Sequence, residues 1–236
     1  MRQRDSGKRG HSYPGLWINF EAGDGAGKGF QQKLLVDYLK ARGFIVQAGR
    51  EPGTTPAGER IRALLQDPAM PKLNPKTEML LFVGTGVEFF EQLVKPTLER
   101  GEVFVTDRWR YSTMAYQGYG LGIDLNVIEA LIKFSCSGAY PDLTFLIDIN
   151  TELGLSKVIG NEFAGSKLDK IESRGTDYHK RVNQGYREIA RQNPDRFRVI
   201  PYIDGKPDEM HLQIRKYVDG LIAGHNLEDK LARVKL

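Results

Sequence analysis

The chain reads as an α/β protein whose parallel sheet is covered by helices on both faces. Two observations predict this. Five short apolar runs alternate with stretches of helical periodicity, and strands separated by helices of that length argue for βαβ units with helices crossing over the sheet. The first apolar run also ends in Gly23-Asp24-Gly25-Ala26-Gly27-Lys28-Gly29. A strand, a glycine-rich turn, a lysine and then a helical pattern is the layout of a phosphate-binding loop.

The strand-like runs are residues 16–20, 44–48, 103–107, 143–149 and 197–201. Between them, residues 31–42 place Leu34, Leu35, Tyr38 and Leu39 on one helical face and stop at Gly43. Residues 56–66 do the same with Ile61, Leu64 and Leu65, and a long pattern over 76–100 stops at Gly101. Helical patterns over 125–137, 177–192 and 207–222 complete the set. Residues 159–167 (Ile-Gly-Asn-Glu-Phe-Ala-Gly-Ser-Lys) break the periodicity and read as a mobile loop, either a lid or an ordinary surface insertion,.

A chain of 236 residues, 40% hydrophobic and 27% charged, is that of an ordinary globular protein with one core,. Its apolar runs are too short to span a bilayer. The first residues, Met1-Arg2-Gln3-Arg4-Asp5-Ser6-Gly7-Lys8-Arg9-Gly10, are basic but lack an apolar segment, which excludes a secretory signal,. Residues 1–14 are expected as a disordered basic arm, 15–224 as the domain and 225–236 as a tail. One cysteine, Cys136 in an apolar stretch, excludes an internal disulfide and a cysteine-rich metal site; it reads as a packed thiol and suits a reducing cytoplasm,. Net charge is only +4, and the basic residues at each end form no clustered face interleaved with aromatics, so neither nucleic acid nor a membrane is an expected partner,.

The loop's chemistry follows from its residue types. Glycines let successive backbone N–H groups converge on one anion, the following helix N-terminus carries a partial positive charge, and Lys28 adds a mobile cation for distal phosphates. Against G-x-x-x-x-G-K-[ST] the match is incomplete: Ala22 replaces the first glycine, and Gly29 replaces the hydroxyl residue that binds Mg²⁺,. In a parallel sheet the other reactive groups belong at the carboxyl ends of neighbouring strands. There lie Arg50-Glu51-Pro52-Gly53-Thr54-Thr55 after the second run and Asp107-Arg108-Trp109 after the third. An Asp-Arg pair supplies a carboxylate for a metal or its bound water and a guanidinium for bidentate phosphate binding. The same residues also suit a helix cap and a surface ion pair; their position beside the phosphate loop favours chemistry.

These residues, with others along the domain, resemble the thymidylate kinase family of P-loop nucleoside monophosphate kinases. Phe20-Glu21, Asp24-Gly25-Ala26-Gly27-Lys28 with Gln31, and Arg50-Glu51-Pro52-Gly53 all match. So do Phe82, Lys95-Pro96-Thr97-Leu98, Pro141-Asp142-Leu143, Leu168-Asp169-Lys170-Ile171-Glu172 and Tyr178-His179-x-Arg181-Val182-x-x-Gly185-Tyr186. The most specific string is Asp107-Arg108-Trp109-x-x-Ser112-x-x-Ala115-Tyr116-Gln117-Gly118. The resemblance implies ATP-dependent, Mg²⁺-assisted phosphorylation of dTMP, a five-stranded parallel sheet, a short lid at about 158–175 and a homodimer. It assigns ATP phosphates to Ala22, Gly23, Asp24, Gly25, Ala26, Gly27, Lys28 and Gly29, and catalytic roles to Lys28, Arg108 and Asp24. Asp24 would approach the acceptor's sugar hydroxyl and Phe82 would stack on its base. Arg108 would clamp its phosphate, while Glu51, Ser112, Tyr116 and Gln117 line the acceptor; Asp107 and Glu51 would serve the metal.

Departures from the family pattern accompany the matches. Gly29 is followed by Phe30 where another small hydroxyl residue is usual, the family's base-reading arginine is Gly86, and a further arginine is Leu121. The lid region offers Lys157, Ile159, Asn161 and Lys167 in place of arginines, with Arg174 the nearest guanidinium. The residues therefore also fit a kinase of other or broader acceptor specificity, or a catalytically impaired nucleotide-binding paralogue.

Overall fold

Strand β1 (Leu16–Ala22) is buried along its whole length, as a strand covered on both faces must be, and its side chains alternate between two cores. Leu16, Ile18, Phe20 and Ala22 point to one face, where they meet Leu35 and Leu39 of α1 (Lys28–Ala41) and Ile214, Val218 and Ile222 of α8 (Pro207–Gly224). Trp17 points to the other, against Phe89, Phe90 and Trp109. The structure, a computed structural model, describes residues 9–163 and 168–233.

The five strands run parallel in the order β2 (Val46–Arg50), β3 (Val103–Asp107), β1, β4 (Leu143–Asp148), β5 (Phe197–Pro201). The chain thus builds outward from β1 in both directions. Its C-terminal end is the crevice where strand order reverses and ligands bind in open α/β sheets. In register, Phe20 lies opposite Asp107 and Ala22 opposite Ile147, so the glycine-rich turn and the Asp-Arg pair emerge side by side.

The expected strands and most helices are present, with boundaries shifted by a few residues. α2 is Pro56–Gln66, capped by Thr55, whose hydroxyl accepts from Gly58 N. The long helix α3 runs over 75–99, but its turn at Phe90–Val94 is a π turn, just before Pro96, which has no N–H to give to the helix ladder,. α5 is Leu125–Ser135 and α7 is Thr176–Gln192. Two helices were not expected. α4 begins at Arg110–Thr113 and continues as the π-wound segment Met114–Gly120. α6 spans Thr151–Phe163, so residues 159–163, expected as loop, are helical, and 164–167 lie outside the described residues.

Residues 1–8 of the expected arm lie outside the described residues. From Arg9 onward the chain lies against the domain, because Arg9 makes a two-pronged contact with Asp142 at 3.0 Å and Tyr140 N donates to Gly10 O. The C-terminal segment is likewise packed, with Leu227 and Leu231 in the core and Ala232 N donating to Gly101 O. Cys136 is fully buried, and burial pushes its thiol up. Among the described residues no helix is long and apolar enough to cross a membrane.

Candidate active site

The glycine-rich turn is shaped by backbone conformation. Gly25 and Gly27 have φ of 77° and 73°, in the left-handed region. A Cβ at Gly25 would also lie 2.2 Å from Gly154 O of α6, so glycine is required there twice over,. Gly27 precedes α1, whose first residue is Lys28. Gly23 is pressed against α7, with Asn183 Oδ1 2.1 Å from where its Cβ would be. Ala22 closes β1 and its carbonyl accepts from Arg108 Nη1 at 3.0 Å, while Ala26 tucks its methyl into the core.

Beside this turn lies a cleft of about 270 Å³,. It brings together Asp24, Gly25, Lys28, Glu51, Phe82, Asp107, Arg108, Ser112, Tyr116 and Gln117, all assigned from sequence. Of the remaining assigned residues, Ala22, Gly23, Ala26, Gly27 and Gly29 belong to the turn and the start of α1 rather than to the cleft wall.

Arg108 organises the floor. Its backbone sits at φ 68°, a conformation uncommon for a side-chain-bearing residue and concentrated at functional sites,. Its guanidinium donates to Asp24 Oδ1 (2.6 Å), Tyr116 OH (3.0 Å) and Tyr186 OH (3.0 Å). Tyr116 OH also donates to Asp24 Oδ1, at 2.8 Å. Beneath them Glu21, fully buried at the end of β1, accepts from Ser112 Oγ (2.6 Å), Tyr186 OH (3.0 Å) and Trp109 N (2.9 Å). Ser112 therefore faces the cleft but is anchored to its floor.

Electrostatics follow from this crowding. Burial pushes the Glu21 carboxyl up, only partly offset by hydrogen bonds from Ser112 and Asn19. Burial works the same way on Asp24, but the Arg108 and Lys28 cations override it and hold that carboxyl below its ordinary range,. Lys28 is pulled down by burial and by repulsion from Arg108. Glu51 is pushed up to about 7 by burial, its hydrogen bond from Thr85 Oγ1 (2.6 Å) compensating only in part.

Asp107 ends β3 with Oδ1 buried and without a partner, and the Cβ position of Gly29 is 3.4 Å from its Oδ2. A hard divalent cation that keeps several waters and takes one or two carboxylates fits there. Among the described residues no cluster of three His, Cys, Asp or Glu forms a cage, so phosphate oxygens and water would complete the shell. Glu51, by contrast, is tied to Thr85 and lies 4.0 Å from the Cβ position of Gly86 of α3.

Several groups carried no signal in the sequence that assigned them a role. Arg62 on α2 lines the cleft and donates to Pro52 O at 3.1 Å. With Arg50, Arg108 and Lys28 it sets four cations among the carboxyl groups of Asp24, Glu51, Asp107, Asp169 and Glu172, and burial together with repulsion from Arg50 and Arg108 pulls Arg62 down. Tyr186 belongs to the apolar face of α7, and only folding reveals its hydroxyl beneath Arg108. Arg174 is not free to address a donor phosphate, since it pairs with Glu78 at 2.5 Å, and Gln117 Nε2 donates to the same carboxylate at 3.1 Å. Lys157 pairs with Asp204. The described end of the lid crosses toward α2, where Gln66 Nε2 donates to Asp169 Oδ2 and Lys170 N donates to Gln66 O.

A parallel sheet with this strand order, a phosphate loop after β1 and an Asp-Arg pair after β3 define a P-loop protein that handles phosphorylated mononucleotides. The thymidylate kinase family model matches residues 20–214. The chain belongs to the thymidylate kinase family. It is 39% identical over 182 residues to a thymidylate kinase of Exiguobacterium sp., covering 77% of this chain and 84% of that one. To a thymidylate kinase of Chlorobaculum tepidum it is 37% identical over 211 residues, covering 87% and 98%. The crystal structure of thymidylate kinase from Ehrlichia chaffeensis superimposes with a TM-score of 0.70 at 32% identity, covering 86% of this chain and 98% of the other.

Proposed function

We propose that the protein transfers the γ-phosphoryl group of ATP to dTMP, giving dTDP and ADP. The observation that carries this reading is the convergence of Lys28, Asp107, Arg108 and Asp24 on one cleft that Phe82 also lines. Phosphoryl transfer needs in-line positioning and neutralised charge more than acid–base groups. Backbone N–H groups of Gly23–Gly29 and the N-terminus of α1 bind the donor's phosphates, with Lys28 at the distal ones. Phe82 offers a stacking face to the base, and Arg108 and Arg62 hold the acceptor phosphate. Ser112, Tyr116 and Gln117 border the nucleoside, and Asp24 accepts from its sugar hydroxyl. Asp107, with Glu51 nearby, would hold Mg²⁺, and the cation would supply charge neutralisation for the donor's phosphates.

Exposed Phe134 and Val127 on α5 and Leu80 on α3, two helices that pack together, support a homodimer as apolar side chains that a second copy would cover,. The one cysteine, a buried free thiol that suits a reducing compartment, supports action in the cytoplasm,.

A second reading, broader acceptor specificity, is favoured by Gly86. Its Cβ position meets only Trp109 at 3.8 Å and Glu51 at 4.0 Å, so no side chain there reads the base. A site without such a partner discriminates poorly. In a coupled ADP-release assay across the common nucleoside monophosphates, dTMP is turned over with a shallow preference over dUMP, and Gly86→Arg sharpens it. Strict selectivity for dTMP in the wild type would show that another residue reads the base.

A further inference from the structure

The face of α7 turned to the phosphate loop carries His179, Asn183 and Tyr186, spaced so that all three lie on one side of the helix,. Tyr186 reaches Glu21 and Arg108, and Asn183 abuts Gly23 while donating to Thr151 Oγ1 at 2.8 Å. His179, the first of the row, reaches Asp24. Its Nδ1 is 3.6 Å from Asp24 Oδ2, and its side chain is 4% exposed.

Asp24's two oxygens are not equivalent. Oδ1 already accepts from Arg108 and Tyr116, whereas Oδ2 is buried without a hydrogen-bond partner. Histidine Nε2 on the far side of the ring is also buried and meets no partner. A proton stranded there would cost the full desolvation penalty of an unpaired donor, so the ring keeps its proton on Nδ1, facing the carboxylate. The ring itself is fixed edge-on to Tyr178 at 5.2 Å, and Tyr178 OH is locked by Arg174 at 2.8 Å.

We propose that His179 is a positioning residue whose Nδ1–H faces the buried Oδ2 of Asp24 at 3.6 Å and fixes the rotation of the carboxylate, so that Oδ1 is presented to the sugar hydroxyl of the acceptor. This rests on the kinase reading above. Asp24 carries the contact with substrate, and His179 acts through it. Because the ring belongs to α7, immediately after the lid, the same contact ties the loop carboxylate to the segment that follows Arg174.

Two variants separate positioning from packing. His179→Phe keeps a ring against Tyr178 and removes the donor, and His179→Asn returns an N–H at the Nδ1 position. Loss of this polar contact with a charged group predicts about a tenfold rise in KM for dTMP in His179→Phe. The KM for ATP and the thermal midpoint stay unchanged, and His179→Asn recovers most of the loss. With 3′-deoxythymidine monophosphate, which lacks the hydroxyl, wild type and His179→Phe turn over alike. An equal loss with both acceptors, or a parallel loss for ATP and dTMP, would overturn the proposal. A ¹⁵N spectrum of the histidine ring needs no substrate: the Nδ1–H resonance is present in wild type and shifts in Asp24→Asn. If wild type fails to phosphorylate dTMP, the functional reading falls, while an unchanged His179 signature in Asp24→Asn overturns the contact itself.

Discussion

Gly29 is where one missing side chain has the largest chemical consequence. The residue after the loop lysine ordinarily offers a hydroxyl to Mg²⁺, and here the Cβ position is vacant, 3.4 Å from Asp107 Oδ2. A cation bound at this place would keep one more water or lean harder on Asp107, whose Oδ1 has no other partner,. The 3.4 Å spacing accepts a side chain, so Gly29→Thr raises turnover or lowers the Mg²⁺ needed for half-maximal rate; an unchanged Mg²⁺ titration in a folded variant contradicts this. Glu51 makes a second prediction. Its carboxyl lies at about 7 in the folded protein against 4.5 when unperturbed. Between those values the folded state keeps a proton that the unfolded chain releases, so this contribution to stability is lost as pH rises from about 4.5 to about 7. Above that range the cost levels off at about 3 kcal/mol. Glu51→Gln is therefore more stable than wild type at pH 8 and close to it at pH 5, measured by denaturant titration without nucleotide. At this scale the loop glycines, Lys28, Asp107 and Arg108 were legible because their chemistry depends on residue type at fixed spacing. Arg62 and the Nδ1 contact of His179 were not, because both depend on which helix faces lie against the loop.

At the scale of elements, the strands were legible as short apolar runs, but two helices escaped. α4 turns Tyr116 and Gln117 inward and packs Gly118 and Gly120 tightly, with Leu125 Cδ2 2.4 Å and Tyr178 Cε2 2.6 Å from their Cβ positions. Its burial pattern is therefore polar and glycine-rich where periodicity expects leucine. α6 carries Gly154 and Gly160, the first needed for contact with the loop, where its Cβ would meet Asp24 O at 2.4 Å. α3 was legible as a long helix, though not its π turn. Phe90, the first residue of that turn, has its ring centroid 5.9 Å from Trp17 and 6.3 Å from Trp109, and Trp109 directly follows Arg108. Phe90→Ala removes about 3–5 kcal/mol of stability through the cavity it leaves. Because the void lies beneath Trp109, turnover falls as well. A variant whose melting midpoint and rate both match wild type would show that this cluster does not brace Arg108.

At the scale of the whole molecule, the order β2-β3-β1-β4-β5 makes the site. Alternation of strands and helices predicts a parallel sheet, but it does not say that β3 inserts between β1 and β2. That insertion puts Asp107 and Arg108 beside Lys28 although about eighty residues separate them in sequence,. The cleft then draws residues from the loops after β1, β2 and β3, from α2, α3 and α4, and from the segment before α7, so the account stands or falls on their acting together. The most direct test is to incubate the protein with ATP, Mg²⁺ and dTMP, separate the nucleotides by chromatography, and repeat with Arg108→Ala while following ATP binding by calorimetry. The account predicts dTDP and ADP in equal amounts from wild type, and none from Arg108→Ala although it still binds ATP. Wild-type protein that binds ATP but leaves dTMP unchanged, or an Arg108→Ala variant with undiminished turnover, would contradict it.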